Sequence, residues 1–256
     1  VEQGKCEDPY EEAKSEYAVF AEEMEKNKDL ISQVFTYEDI LKNQADGKIS
    51  AVLTLEEGEV CLGEIEKLEE FYGYGVRMVA LVWNYCNSLS TSASQNAPIR
   101  PRRYSGYRPG LTETGIAFVE RMEELGMIPD VSHMSDEGIE DLLQITKKPF
   151  VASHSNARSV CNVARNMSDE MILALAERKG VMGINFCGDF LIETKEGYAR
   201  SCVKDMVKHI KHIVKVGGID CVGLGSDFDG IAQNLEMKDA SYLPQLADAL
   251  RAEGFS

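Results

Sequence analysis

Two of the four histidines in this 256-residue sequence stand in near-identical settings, His133 closing Asp-Val-Ser-His and His154 closing Val-Ala-Ser-His. If these runs are neighbouring parallel strands, the two imidazoles lie about 5 Å apart at one level, a spacing that suits a shared metal ion. Two hydrogen-bonded structural histidines are the alternative. Carboxylates at matching positions favour the metal: Glu56 follows the run Ala-Val-Leu-Thr-Leu, and Asp227 lies in Gly-Leu-Gly-Ser-Asp-Phe-Asp-Gly. A strand-end carboxylate is expensive to bury unless it meets a donor or a cation. The doubled acid leaves Glu57 as an alternative to Glu56. Asp227 is placed to act as base toward an attacking water. Its run lacks the third acid and distal Glu of a calcium loop, and the third glycine of a dinucleotide fingerprint. Arg158 and Arg165 follow His154, and either could clamp a carboxylate in bidentate fashion or lie on the surface. His209 and His212 flank the apolar stripe of a helix and read as structural.

These residues need elements to hold them. Six apolar, β-branched runs, at residues 51–56, 78–83, 128–133, 150–154, 181–186 and 221–227, read as buried strands. Helical period fills the gaps. Ser135-Asp136-Glu137 and Ser168-Asp169-Glu170 each open a helix with a cap and a first-turn acid pair. Between Cys202 and Gly217, Val203, Met206, Val207, Ile210, Ile213 and Val214 form one stripe, while Lys204, Lys208, Lys211 and Lys215 take the opposite face. Alternating strands and helices with continuous apolar strands mean a parallel sheet. Glu56, Trp83 with Asn84, His133, His154, Asn185 and Asp227 collect at the C-terminal ends of six different strands. That distribution fits the mouth of a TIM-type (β/α)8 barrel better than the single switch point of an open sheet. The expectation is one α/β barrel domain over residues 1–256. The first fifty residues give two helices, at 9–27 and 37–43, and a weak strand at 31–35. With six strands recognised, the first strands and the extreme C-terminus of the barrel are expected to be missing from this chain.

A net charge of −16 argues against nucleic acid or an anionic membrane as partner. No apolar stretch reaches the ~20 residues of a membrane helix, and the N-terminus is acidic where a signal peptide would be basic, so a cytoplasmic location is expected. The seven cysteines never fall as Cys-x-x-Cys and are expected to be reduced thiols, mostly in the core. No Gly-x-Ser-x-Gly nucleophile elbow occurs. Asn166-Met167-Ser168 matches a glycosylation sequon but reads as a helix cap. The segment at 88–110, with its PRRYSGYRPG stretch, supplies turns and positive charge.

Together, Val131-Ser132-His133, Val151-Ala152-Ser153-His154-Ser155-Asn156-Ala157-Arg158, Arg165-Asn166 and Gly225-Ser226-Asp227-Phe228-Asp229-Gly230 resemble the membrane (renal) dipeptidases and their bacterial relatives. The likeness runs from near Pro9 to the C-terminus and takes in Leu55-Glu56-Glu57-Gly58, the strand from Gly75 to Trp83-Asn84, and Tyr242-Leu243-Pro244. It implies a TIM-type barrel whose binuclear zinc centre hydrolyses dipeptides, including some with a C-terminal D-residue. By this resemblance Glu56 bridges the metals, and His133 and His154 bind the second of them. Arg165 holds the substrate's C-terminal carboxylate, Asp227 manages the proton of the attacking water, and Trp83 and Asn84 face the substrate. A homodimer is implied on the same ground.

Two departures stand out. The family's first strand ends in a His-x-Asp pair that holds the other metal, and no histidine precedes His133 here. Where the best-studied mammalian members carry a further histidine, this chain has Trp83 and Asn84. Two other readings therefore remain open: a metal-poor barrel that binds small ligands without turnover, and a related metal-dependent hydrolase of another amide or a lactone.

Overall fold

The computed structural model describes residues 8–96, 109–194, 199–231 and 234–256. Cys6 and most of the PRRYSGYRPG stretch lie outside them. The chain divides into two compact units, Val1–Thr146 and Lys147–Ser256.

In the first unit, helices α1 (Pro9–Lys26), α2 (Tyr37–Ala45), α3 (Ile65–Tyr74), α4 (Glu113–Leu125) and α5 (Asp136–Ile145) alternate with strands β1 (Ile31–Gln33), β2 (Ile49–Ala51), β3 (Leu53–Leu55), β4 (Val76–Ala80) and β5 (Ile128–Asp130). These strands pair in parallel: β1 with β2, β3 with β4, and β4 with β5. The weak strand expected at 31–35 is therefore real and has a partner, which corrects the count of six. Only three residues long and half-buried, it offers too little alternation to be read from sequence. The run at 51–56 is likewise split, because β2 and β3 face different partners on either side of exposed Val52.

Local chemistry explains the boundaries. Pro9 starts α1 behind the Asp8 cap, and Thr36 and Asp39 form a reciprocal capping box on α2. Ser135 accepts the Gly138 N–H to open α5, as its sequence predicts. Strand β5 stops at Asp130 because that carboxylate accepts the Ser132 N–H at 3.0 Å and turns the chain. His133 thus stands in the turn after the strand, where the apolar run alone suggested a strand-end position. Leu68, Phe71, Phe118, Val119, Met122 and Leu142 form the buried helix side of this unit against Val76 and Val79. Each such side chain contributes roughly 1.5–3 kcal/mol by leaving water.

In the second unit, β6 (Val151–Ala152), β7 (Val181–Ile184) and β8 (Val222–Leu224) are parallel, β7 pairing with both others. Helices α6 (Asp169–Glu177), α7 (Gly188–Leu191), α8 (Val203–Gly217) and α9 (Leu243–Ala252) accompany them. Ser168 caps α6 by accepting the Met171 N–H, as expected. Asn166 is 1% exposed and gives its amide hydrogens to the carbonyls of Cys161 and Phe190, so the sequon lies inside the fold. On α8 the expected stripe is buried apart from half-buried Val214, and Lys204, Lys208, Lys211 and Lys215 are exposed.

Two glycines let the strand ends approach. A Cβ on Gly183 or Gly225 would come within 2.0 or 1.9 Å of the Ser153 carbonyl oxygen. Backbone alone fits there, one residue before His154.

No helix among the described residues is long and apolar enough to cross a membrane. Cys61, Cys86, Cys161, Cys187, Cys202 and Cys221 are free thiols, and burial pushes those of Cys61 and Cys161 up to about 12 and about 11.

His209 is completely buried, further inside than the helix boundary its spacing suggested. Its Nδ1 accepts the Ala157 N–H at 3.1 Å and its Nε2 donates to the Leu191 carbonyl at 3.0 Å, tying the loop after β6 and the end of α7 to α8. Burial holds its pKa below the ordinary imidazole value, outweighing the Leu191 bond. A histidine kept neutral in the fold stabilises it fully above its unfolded pKa of about 6.5, and that contribution fades as pH falls through the lower folded value. The slope from this one proton is at most about 1.4 kcal/mol per pH unit. Urea midpoints at pH 7.5 and 5.0 should therefore fall more steeply for the natural chain than for His209→Gln, which keeps an acceptor and a donor but does not titrate. Equal slopes would remove His209 as the cause.

Candidate functional site

Of the seven residues expected at strand ends, Glu56 and Asn185 follow their strands directly and the other five stand in the turns two to four residues beyond. Glu56 follows β3 directly, Trp83 and Asn84 come after β4, His133 after β5, His154 after β6, Asn185 directly after β7 and Asp227 after β8.

Within the first unit, His133 is the organising side chain. It is 6% exposed, its Nδ1 lies 3.1 Å from Asn84 Oδ1, and its Nε2 lies 3.2 Å from Glu56 Oε1. The Trp83 ring tilts against it, with centroids 6.1 Å apart. Because Nδ1–H donates to the Asn84 oxygen, the neutral ring carries a lone pair on Nε2, directed at a carboxylate oxygen. Two acceptors at that range repel each other unless a proton or a metal cation lies between them. Ligand atoms about 2.1 Å from a tetrahedral zinc are about 3.4 Å from each other, so the separation suits a shared cation. The amide of Asn84 fixes the ring's tautomer, the usual task of a residue behind a metal-binding histidine.

The doubled acid separates cleanly. Glu57 turns away from His133: its Oε1 accepts from Asn87 Nδ2 at 2.8 Å, and the same Asn87 nitrogen also donates to the Leu81 carbonyl. Burial pushes the Glu57 carboxyl up to about 7, and the Asn87 bond offsets part of that rise. Glu56, with its side chain 56% exposed, is the acid that meets the imidazole.

Within the second unit, His154 is 8% exposed and its Nδ1 is 2.7 Å from Ser153 Oγ. The two Ser-His pairs that look alike in sequence differ here, since Ser132 Oγ donates to Asp130 instead. The two arginines also part. Arg158 donates to the carbonyls of Asn166 and Ala164 and braces the loop, while Arg165 reaches the His154 carbonyl at 3.4 Å and Ser155 Oγ at 3.5 Å, with its guanidinium over the Phe190 ring. Arg165 is thus the arginine held beside His154.

Asp227 adopts a left-handed backbone with φ of 59°, unusual outside glycine though tolerated by Asp, and such conformations gather at functional sites. Its Oδ2 accepts from Asn185 Nδ2 at 2.9 Å. Ser153, Asn87 and Asn156 escape a reading by residue type, because Ser and Asn are common in loops and their roles come from partners distant in sequence. Asn156 shows this, as its side chain exchanges hydrogen bonds with the backbone of Asn185.

Comparison with known proteins shows the family. The family model for membrane dipeptidase (peptidase family M19) matches residues 3–256. A Klebsiella pneumoniae protein, described as an uncharacterized protein in the pqqA 5' region, is 34% identical over 85% of this chain and 79% of its own length. An uncharacterized dipeptidase of Schizosaccharomyces pombe is 37% identical over 78% of this chain, which spans 47% of that protein. Among solved structures, a Rhodobacter sphaeroides metallo peptidase liganded with a phosphinate mimic of the dipeptide L-Ala-D-Ala aligns with a TM-score of 0.82 and 28% identity, over 94% of this chain and 67% of its own. The fold is accordingly the TIM-barrel type of these peptidases. On the match of nearly its whole length, this chain belongs to the membrane dipeptidase family, peptidase family M19.

Proposed function

We propose that this chain is a zinc-dependent dipeptidase that hydrolyses the peptide bond of dipeptides, L,D-dipeptides among them. The observation that carries the reading is the 3.2 Å approach of His133 Nε2 to Glu56 Oε1, with Nδ1 engaged by Asn84, in a chain of this family. A metal cation fits between these two atoms, and imidazole with carboxylate suits zinc. The dipeptide mimic bound by the Rhodobacter sphaeroides relative supports the substrate class.

In this reading Glu56, His133 and His154 are metal ligands, with Asn84 and Ser153 engaging the second nitrogen of each ring. When bound, the metal supplies Lewis acidity that activates water and polarises the scissile carbonyl. The chain's own residues do the rest. Asp227 takes the proton of the attacking water on its carboxylate and passes it to the leaving amine nitrogen, so no covalent intermediate with the protein forms. Arg165, fixed by the His154 carbonyl and the Phe190 ring, presents its fork to the substrate's C-terminal carboxylate. Trp83 and Asn84 border the space beside His133.

The deciding experiment is metal analysis combined with hydrolysis of a panel of L,L and L,D dipeptides before and after chelation. Dipeptide turnover that chelation abolishes and zinc restores is expected. A metal-free chain that binds dipeptides without turnover would select the ligand-binding reading, and turnover confined to other amides or lactones would select a different hydrolase. Asp227→Asn should lower kcat by about 10²–10⁴-fold while metal content stays unchanged. Arg165→Ala should raise KM about 10–100-fold for dipeptides with a free C-terminal carboxylate and leave amidated dipeptides unaffected. An equal loss for both kinds of dipeptide would show that Arg165 is not the clamp.

A further inference from the structure

Asn185 has no part in the reaction as described so far, yet it makes more hydrogen bonds than a turn requires. It is completely buried, as is Asn156. Its Oδ1 accepts the Cys187 N–H at 2.7 Å, which closes the turn after β7. Asn156 Oδ1 accepts its backbone N–H at 3.1 Å, and Asn156 Nδ2 donates to its backbone carbonyl at 3.0 Å. The residue is therefore held on both sides of its backbone, and its amide cannot rotate without losing the turn bond. The Nδ2 half is left pointing at Asp227 Oδ2, 2.9 Å away, with a longer approach to the His154 carbonyl at 3.4 Å.

A turn alone would be served by aspartate or serine, whose oxygens accept the same N–H. Only the NH₂ group distinguishes asparagine, and that group goes to the strand-end acid. Asp227 sits in a left-handed turn, and the Asn185 amide meets its Oδ2 there. The neighbouring strands pair Ile184 with Leu224, so Asn185 follows its strand directly while Asp227 lies three residues past the end of its own, and the Asn185 amide spans that offset to reach the carboxylate.

We propose that Asn185 is a positioning residue for catalysis: its amide pins one oxygen of Asp227 and so fixes the direction in which the carboxylate meets the water and the leaving amine. This rests on the dipeptidase reading above. Preorganisation of this kind acts on kcat, since a displacement of about 1 Å in a reacting group can cost about 100-fold.

The test is a double-mutant cycle in the zinc-loaded protein, with Asn185→Ser, Asp227→Asn and the pair. Serine keeps an acceptor for the Cys187 N–H but is too short to reach Asp227. Asn185→Ser should lower kcat about 100-fold with KM within about threefold and metal content unchanged, and should cost almost nothing further in the Asp227→Asn background. Equal losses in both backgrounds, or a loss confined to KM or metal content, would overturn the proposal and leave Asn185 structural. If Asn185→Ser does not fold, Asn185→Asp provides the same readout. It keeps the turn acceptor, sets a carboxylate against Asp227, and should regain its melting temperature but not its activity when combined with Asp227→Asn. No recovery of melting temperature would equally count against the pairing. Absence of dipeptide turnover in the natural chain overturns the dipeptidase reading and this inference together, whereas turnover that Asp227→Asn destroys and Asn185→Ser spares overturns the inference alone.

Discussion

An imidazole nitrogen 3.2 Å from a carboxylate oxygen, with its other nitrogen already donating to an amide, is the contact around which the first unit is organised. A proton or a metal cation between His133 Nε2 and Glu56 Oε1 satisfies both atoms. Their alignment persists because each is delivered by a rigid element. Glu56 comes off β3, Asn84 follows β4, and His133 stands in a turn that Asp130 forces at the end of β5. Parallel pairing of β3, β4 and β5 brings these three chain segments to the same end of the sheet, although 77 residues separate Glu56 from His133.

The second unit meets a similar demand by other means. Its strands are short, and their ends come together through glycine: Gly183 and Gly225 both press on the Ser153 carbonyl, leaving no room for a side chain. Beyond the strand ends, buried amides take over. Asn156 locks Asn185, and Asn185 reaches Asp227. His209 then fixes the loop from behind through Ala157. Polar groups at this depth are tolerated because nearly every one has a partner, and a satisfied network defines one geometry where apolar packing would allow several.

Much of this was legible in the residues. Parallel strands followed from continuous apolar runs, helix starts at Ser135 and Ser168 from capping, and the exposed lysine face of α8 from its period. Strand β1 was hard to read because three half-buried residues carry no usable period, and its partner lies beyond an intervening helix.

The sequence by itself determined the inventory: a parallel α/β chain, histidines and acids at strand ends, and a family whose motifs they match. Composition and periodicity are local properties, so a local reading recovers them. Only the tertiary structure decided which member of each pair does what. It turned Glu56 toward His133 and Glu57 toward Asn87, tied Arg158 to its own loop and Arg165 beside His154, and separated the roles of Ser132 and Ser153. Residues adjacent or alike in sequence differ there because hydrogen bonds depend on direction and on partners that only the folded sheet brings within about 3 Å.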